Sequence, residues 1–265
     1  MPASMIGIAT PQAMVNDGRV VMSDPDFEAR RKAVQEYVKP DDPLSWDVAW
    51  KKGVTPWDDG IVEPSLMEVI EESGIAFPRK GKVLVPGCGA GYEAFWLAKR
   101  GLKATGMDIS ETAIEAANRE RNKYPQEIVD NSQFLKVNFF DIKDISDEER
   151  YDLAIDHRQV SHTKARIHCG RELNISIHRF FVAIPPSLRN DWGRQMAAFL
   201  KPGGYLINII FPIVPPVEGG PPYTVRSDHY DGPLGENFEK IYDEVPTKSS
   251  PTHEGKERVQ VWRRK

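Results

Sequence analysis

Val83-Leu84-Val85 is a short apolar run that stops against Pro86-Gly87-Cys88-Gly89-Ala90-Gly91, with a helical pattern from Tyr92 to Arg100 directly behind it. A strand covered on both faces has no polar side to alternate with, so an uninterrupted run of this kind reads as a buried parallel strand. The glycines let the backbone turn tightly and approach a ligand with no Cβ in the way. Their spacing is GxGxG. A dinucleotide fingerprint needs its third glycine at position 92, where Tyr92 stands. A phosphate-cradling loop needs a Lys-Ser/Thr pair, which is absent here. Nicotinamide oxidoreductases and P-loop enzymes are disfavoured.

The pattern behind the loop repeats the strand-helix alternation. Lys103–Met107 reads as a second strand ending at Asp108, and Ser110 as the N-cap of the helix that follows. Gln133–Asn138 and Tyr151–Asp156 read as strands three and four. A helix over Ser187–Leu200 is expected to stop at Pro202-Gly203-Gly204, ahead of an apolar fifth strand, Tyr205–Phe211. Phe238–Tyr242 and Arg258–Trp262 supply two more strands. The alternation predicts an α/β fold, a doubly wound and mostly parallel sheet of seven strands. In such a sheet the end of strand two lies over the ligand crevice, where Asp108 could accept both hydroxyls of a ribose.

Upstream, residues 1–23 read as a flexible tail and 24–265 as a single domain. Asp24 and Pro25 suit a helix start, and a helix after Pro64 closes at Gly74. Between them, Pro40, Pro43, Pro56 and Pro64 punctuate a segment holding Trp46, Trp50 and Trp57. Residues 24–78 are thus N-terminal helices and a tryptophan-rich lid.

The charge balance limits the partners. Lys+Arg is 35 and Asp+Glu 39, a net −4, whereas a polyanion-binding surface leaves a basic excess. Nucleic acid is therefore not expected. No apolar run reaches the roughly 18 residues of a membrane span, and no leader pattern opens the chain. Two cysteines, Cys88 and Cys169, make neither a disulfide framework nor a zinc site by themselves. A reduced, cytoplasmic protein is the expectation.

The segment VLVPGCGAGYEAFWLAKRGLKATGMDIS resembles the cofactor half of class I S-adenosylmethionine-dependent methyltransferases. Together with Trp46, Trp50, Trp57 and FPIVPPVEGGPPYTV it is similar, more narrowly, to the thiopurine methyltransferase-like branch and its plant and fungal halide/thiol methyltransferases. The resemblance implies S-adenosylmethionine as methyl donor and a small thiol, bisulfide or halide as acceptor; no metal is expected, because the donor already carries the driving charge, and a monomer is the expectation. It implies cofactor contacts at Trp46, Trp50, Trp57, Gly87, Gly89, Asp108, Asn138, Phe139 and His157. Asn138 suits a base edge and Phe139 its flat face. The tryptophans suit a sulfonium cation and exclude water. His157 could serve as base or donor, and Tyr223 of Gly219-Gly220-Pro221-Pro222-Tyr223 could orient a soft anion. These two are the candidate catalytic residues.

Residues 158–178 (RQVSHTKARIHCGRELNISIH) interrupt the resemblance. Excising them joins Asp156-His157 to Arg179-Phe180-Phe181 in a smooth family-like segment. The insert reads as a retained intron translated in frame, or as a lineage-specific loop. It supports an alternative reading as an inactive or cofactor-sensing protein. A second alternative, an oxygen or nitrogen acceptor, lacks both a clear base and an amide-Pro-Pro-aromatic motif, since Ile184-Pro185-Pro186-Ser187 stands there.

Overall fold

The computed structural model describes residues 14–16, 19–21, 25–55, 61–157, 165–166, 172–173 and 180–265. Among them, seven strands hydrogen-bond into one sheet: β1 Lys82–Pro86, β2 Lys103–Asp108, β3 Ser132–Lys136, β4 Tyr151–Asp156, β5 Leu200–Ile210, β6 Phe238–Glu244 and β7 Arg258–Arg264. Their order is β6-β7-β5-β4-β1-β2-β3. Strands β3, β2, β1, β4 and β5 run parallel, and β7 and β6 close the far edge antiparallel. The order reverses between β1 and β4, which is where an open α/β sheet leaves a crevice at its carboxyl edge.

Helices cover both faces: α1 Pro25–Gln35, α2 Ser45–Lys51, α3 Pro64–Glu72, α4 Tyr92–Lys99, α5 Glu111–Glu120, α6 Gln126–Asp130, α7 Phe180–Ala183, α8 Arg189–Phe199 and α9 Asp231–Gly235. Alternation along β1 shows why both layers are apolar. Leu84 joins a core with Phe181, Trp192 and Phe199, whereas Val83 and Val85 join the opposite core with Leu66, Val69 and Leu97.

Local chemistry sets the ends of these elements. Ser110 caps α5 as expected, its Oγ accepting from the Ala113 N–H at 3.1 Å. Gly91 enters α4 at φ +83°, and a Cβ there would lie 2.4 Å from Phe134 Cε1, so only glycine fits. Pro202-Gly203-Gly204 does not act as the expected stop. Helix α8 already ends at Phe199, and β5 begins at Leu200. Leu200 pairs with Tyr151 and Tyr205 with Leu153, so residues 201–204 bulge out of the ladder instead of separating helix from strand. The expected third strand also ends two residues early, at Lys136.

Of residues 1–23, the described ones, Met14–Asn16 and Arg19–Val21, pair antiparallel. Within 158–178, Ala165–Arg166 pairs with Glu172–Leu173. The rest of that insert lies outside the described residues.

Candidate active site

A cavity of about 540 Å³ opens at the carboxyl edge of β1, β2 and β4. Gly87 and Gly89 from the loop after β1, Asp108 from β2, Asn138 and Phe139 from beyond β3, and His157 from the end of β4 all line it. Trp46 and Trp50 of α2 line it from the N-terminal segment and pack on the small core of Val34, Val38 and Ala49. Trp57 lies outside the described residues.

Asp108 joins the two halves of the glycine-loop signal. Its Oδ2 accepts from the Gly89 N–H at 3.0 Å and its Oδ1 from the Ser110 N–H at 2.9 Å. Each oxygen keeps acceptor capacity beyond those bonds. Burial pushes this carboxyl up to about 6 against the lowering effect of the N–H donors from Ser110 and Gly89. Gly87 and Gly89 sit at φ +63° and +51°, backbone conformations that side chains with a Cβ rarely adopt.

Asn138 has a split role. Its Oδ1 accepts from the Phe140 N–H at 3.1 Å, capping a short turn. That bond fixes the amide and leaves its NH₂ as the donor end. Phe139 is buried, with the rings of Phe180 and Phe199 at 4.8 and 5.2 Å.

His157 is 6% exposed, and its Nδ1 lies 3.1 Å from Glu93 Oε1 on α4. Its Nε2 is buried with no hydrogen-bond partner among the described residues. Glu93, which sequence reasoning missed, is 1% exposed. The available signal was an acid placed two residues after Gly91 in an otherwise apolar helix.

Tyr223 is not among the residues lining this cavity. Its backbone N–H donates to Val182 O at 2.8 Å, and its ring covers Gly220. Arg31 of α1 fixes the loop by donating to the carbonyls of Pro222, Glu218 and Gly219. Burial raises the Tyr223 hydroxyl above its ordinary range while Arg189 and Arg31 pull it back, so it remains a protonated donor at neutral pH. Cys88 is fully enclosed, and burial with Asp108 and Glu93 nearby lifts its thiol well above the usual value. It is no nucleophile.

Asp47, also missed, ties α2 to the start of α5 beside the crevice. Its Oδ1 accepts from Ser110 Oγ at 2.7 Å and from the Thr112 N–H at 3.0 Å.

Among the described residues, Glu63, His253 and Glu257 are close enough to hold a cation. Their oxygens are engaged internally. Ser65 and Ser249 each donate to Glu257 at 2.8 Å, and the Ser250 N–H donates to Glu63 at 3.0 Å. His253 Nδ1 lies 3.3 and 3.4 Å from the two carboxylates. The trio forms a buried ionic staple between α3 and the loop before β7.

The residues at the cavity fit an adenosyl group. Asp108 offers acceptors for ribose hydroxyls, Phe139 a flat apolar face, Asn138 an amide for a base edge, and the volume lies within the range of small-ligand sites. Fold and site together define a class I S-adenosylmethionine-dependent methyltransferase. Comparison with known proteins makes this specific. Residues 41–265 match the family described as Thiopurine S-methyltransferase (TPMT), and the chain belongs to that family. Thiocyanate methyltransferase 1 of Arabidopsis thaliana is 30% identical over 222 residues, covering 83% of this chain and 84% of that protein. Probable thiol methyltransferase 2 of the same plant is 33% identical over 199 residues, 74% of each. Among solved structures, a SAM-dependent methyltransferase from Methanosarcina mazei superposes with TM-score 0.52 at 17% identity, over 71% of this chain and 94% of that one. The glycopeptide N-methyltransferase MtfA, solved with S-adenosylhomocysteine, gives 0.53 at 13%, over 80% and 92%. At these identities the structural likeness concerns the fold.

Proposed function

We propose that this chain transfers the methyl group of S-adenosylmethionine to a small thiol, with release of S-adenosylhomocysteine and a methyl thioether. The observation that carries the reading is the single cavity in which an Asp108-glycine-loop seat meets a chamber walled by Trp46, Trp50, Phe139 and Phe180. The relatives named for thiocyanate and thiol methylation support the acceptor class. The absence of an amide in Ile184-Pro185-Pro186-Ser187 counts against amine acceptors.

When bound, the donor supplies an electrophilic methyl group on a sulfonium. The protein's part is to hold and align. Gly87 and Gly89 let the backbone approach, Asp108 binds the ribose hydroxyls, and Asn138 with Phe139 fixes the base. Trp46 and Trp50 present aromatic rings to a cation and exclude water. Trp57 is assigned to the same enclosure from its resemblance. Tyr223 lies outside the cavity wall in this structure; its role in orienting the acceptor anion is assigned from the resemblance alone. Alignment of this kind supplies about 7–11 kcal/mol of barrier reduction. The chemistry requires no metal, because the donor already carries the charge that drives methyl loss. Bisulfide and halides are further acceptors of the same type. We place the enzyme in the cytoplasm as a monomer; among the described residues, no helix is long and apolar enough to cross a membrane.

Incubation with S-adenosylmethionine and either 2-mercaptoethanol or iodide, followed by detection of methylated volatiles, tests the reading. Methyl thioether formation is expected. Tight donor binding without product on any acceptor would instead support the cofactor-sensing alternative.

A further inference from the structure

We propose that Glu93 and His157 form a proton-accepting pair for the acceptor thiol, which makes protonated thiols, beyond anions already free of a proton, the substrates this site is built to use. The inference rests on the thiol methyltransferase reading above.

Three observations converge. His157 lines the cavity from the end of β4, at the carboxyl edge where the reacting groups meet. Its Nδ1 lies 3.1 Å from Glu93 Oε1, so we assign the proton to the nitrogen beside that carboxylate. Its Nε2 is then a lone-pair acceptor, buried and without a hydrogen-bond partner among the described residues. A buried imidazole nitrogen left unmatched on a cavity wall is costly unless a ligand supplies the donor. A thiol S–H is such a donor.

Carboxylates lie near the ring. Glu93 on α4 contacts the ring directly, and Asp156 precedes it on β4. Glu63, ahead of α3, is close enough that a charge on His157 helps hold its carboxyl below the ordinary range. The step balances as follows. The S–H bond breaks and its proton joins His157 Nε2. The electron pair left on sulfur forms the new S–C bond to the methyl group, and the old C–S bond pair returns to the donor sulfur, cancelling its positive charge. The imidazolium then releases its proton to solvent. His157 is the catalytic residue in this scheme, and Glu93 is a positioning residue that acts through it.

Iodide carries no proton, so it separates this role from mere packing. An alkyl thiol, with a pKa at or above about 8.5, is at most a few per cent ionised at pH 7. Without a base, only that fraction reacts. His157→Gln and Glu93→Gln should therefore lower the ratio of 2-mercaptoethanol to iodide methylation at least about tenfold at pH 7, and the deficit should shrink as pH rises toward 9. A second readout needs no donor. Difference absorbance of the thiolate band should show more ionised 2-mercaptoethanol bound to the wild-type protein than to His157→Gln. Equal losses on both acceptors with an unchanged thiolate band would overturn the pairing. Wild-type protein that methylates neither acceptor would overturn the functional reading itself, a distinct result.

Discussion

The carboxylate of Asp108 accepts a hydrogen bond from the backbone N–H of Gly89 at 3.0 Å, so the residue that ends β2 also holds the loop that ends β1. One side chain thus shapes the glycine loop and lines the cavity, where we propose that it accepts the ribose hydroxyls. Its burial, which pushes the carboxyl up to about 6, makes donor affinity pH-dependent. The ionised form accepts the hydroxyls and predominates above that value; the neutral form gains as pH falls below it. Calorimetric affinity for S-adenosylmethionine should be flat above pH 7 and fall by up to tenfold per unit below about 6. Asp108→Ala should weaken binding by about 3–6 kcal/mol, the scale of two charge-assisted hydrogen bonds, and remove the pH dependence.

Asp47 makes a different prediction. Burial alone would raise its carboxyl, but Lys51, the Thr112 N–H and Ser110 outweigh that and hold it well below the ordinary range. It acts as a cap on α5 supplied by α2. Asp47→Ala should cost about 0.5–2 kcal/mol of stability, the usual scale of a lost cap. Because Trp46 and Trp50 flank it on α2, the donor KM should rise more than kcat falls. An unchanged KM would separate the lid from donor binding.

Much of this site could be read from sequence because its signals are local. The glycine spacing, the strand that ends at Asp108 and the Ser110 cap each need only a few consecutive residues, and each stands in the structure as expected. Glu93, Asp47 and Arg31 were not legible. Their partners are His157, Thr112 and the Glu218–Pro222 carbonyls, and only the fold brings those pairs together. The β5 bulge escaped for a related reason. Pro-Gly-Gly is a stop signal by composition, but pairing of Leu200 with Tyr151 pulls the segment into the strand.

Residues 158–178 separate β4, which ends at Asp156, from α7, which begins at Phe180. Both neighbours belong to the cores and the cavity wall. A variant lacking 158–178 should keep the far-ultraviolet spectrum and melt no lower than the full chain. It should also methylate 2-mercaptoethanol at least as fast. If the segment is a translated intron, peptide mass spectrometry of the native protein should recover nothing from Arg158 to His178. Clean detection of such peptides would establish it as part of the native protein.

The staple of Glu63, His253 and Glu257 should govern acid stability. Burial would raise the Glu63 carboxyl, but the His253 charge and the Ser250 N–H hold it down at about 2. A carboxyl depressed on folding contributes stability above its unfolded value, near 4.5, and loses it as pH falls toward the folded value. Melting temperature should therefore decline steeply between about pH 4.5 and 2 in the wild-type protein. Glu63→Ala should flatten that decline and cost about 3–5 kcal/mol at neutral pH, because it strands His253 against a single carboxylate in a site closed to water. His253 also stacks on Phe211 at 3.8 Å, at the end of β5. Loss of the staple should thus loosen the loop before β7 as well as the segment leading into α3, and hydrogen exchange should quicken in both. Faster exchange confined to one of them would show that the three side chains do not act as a unit.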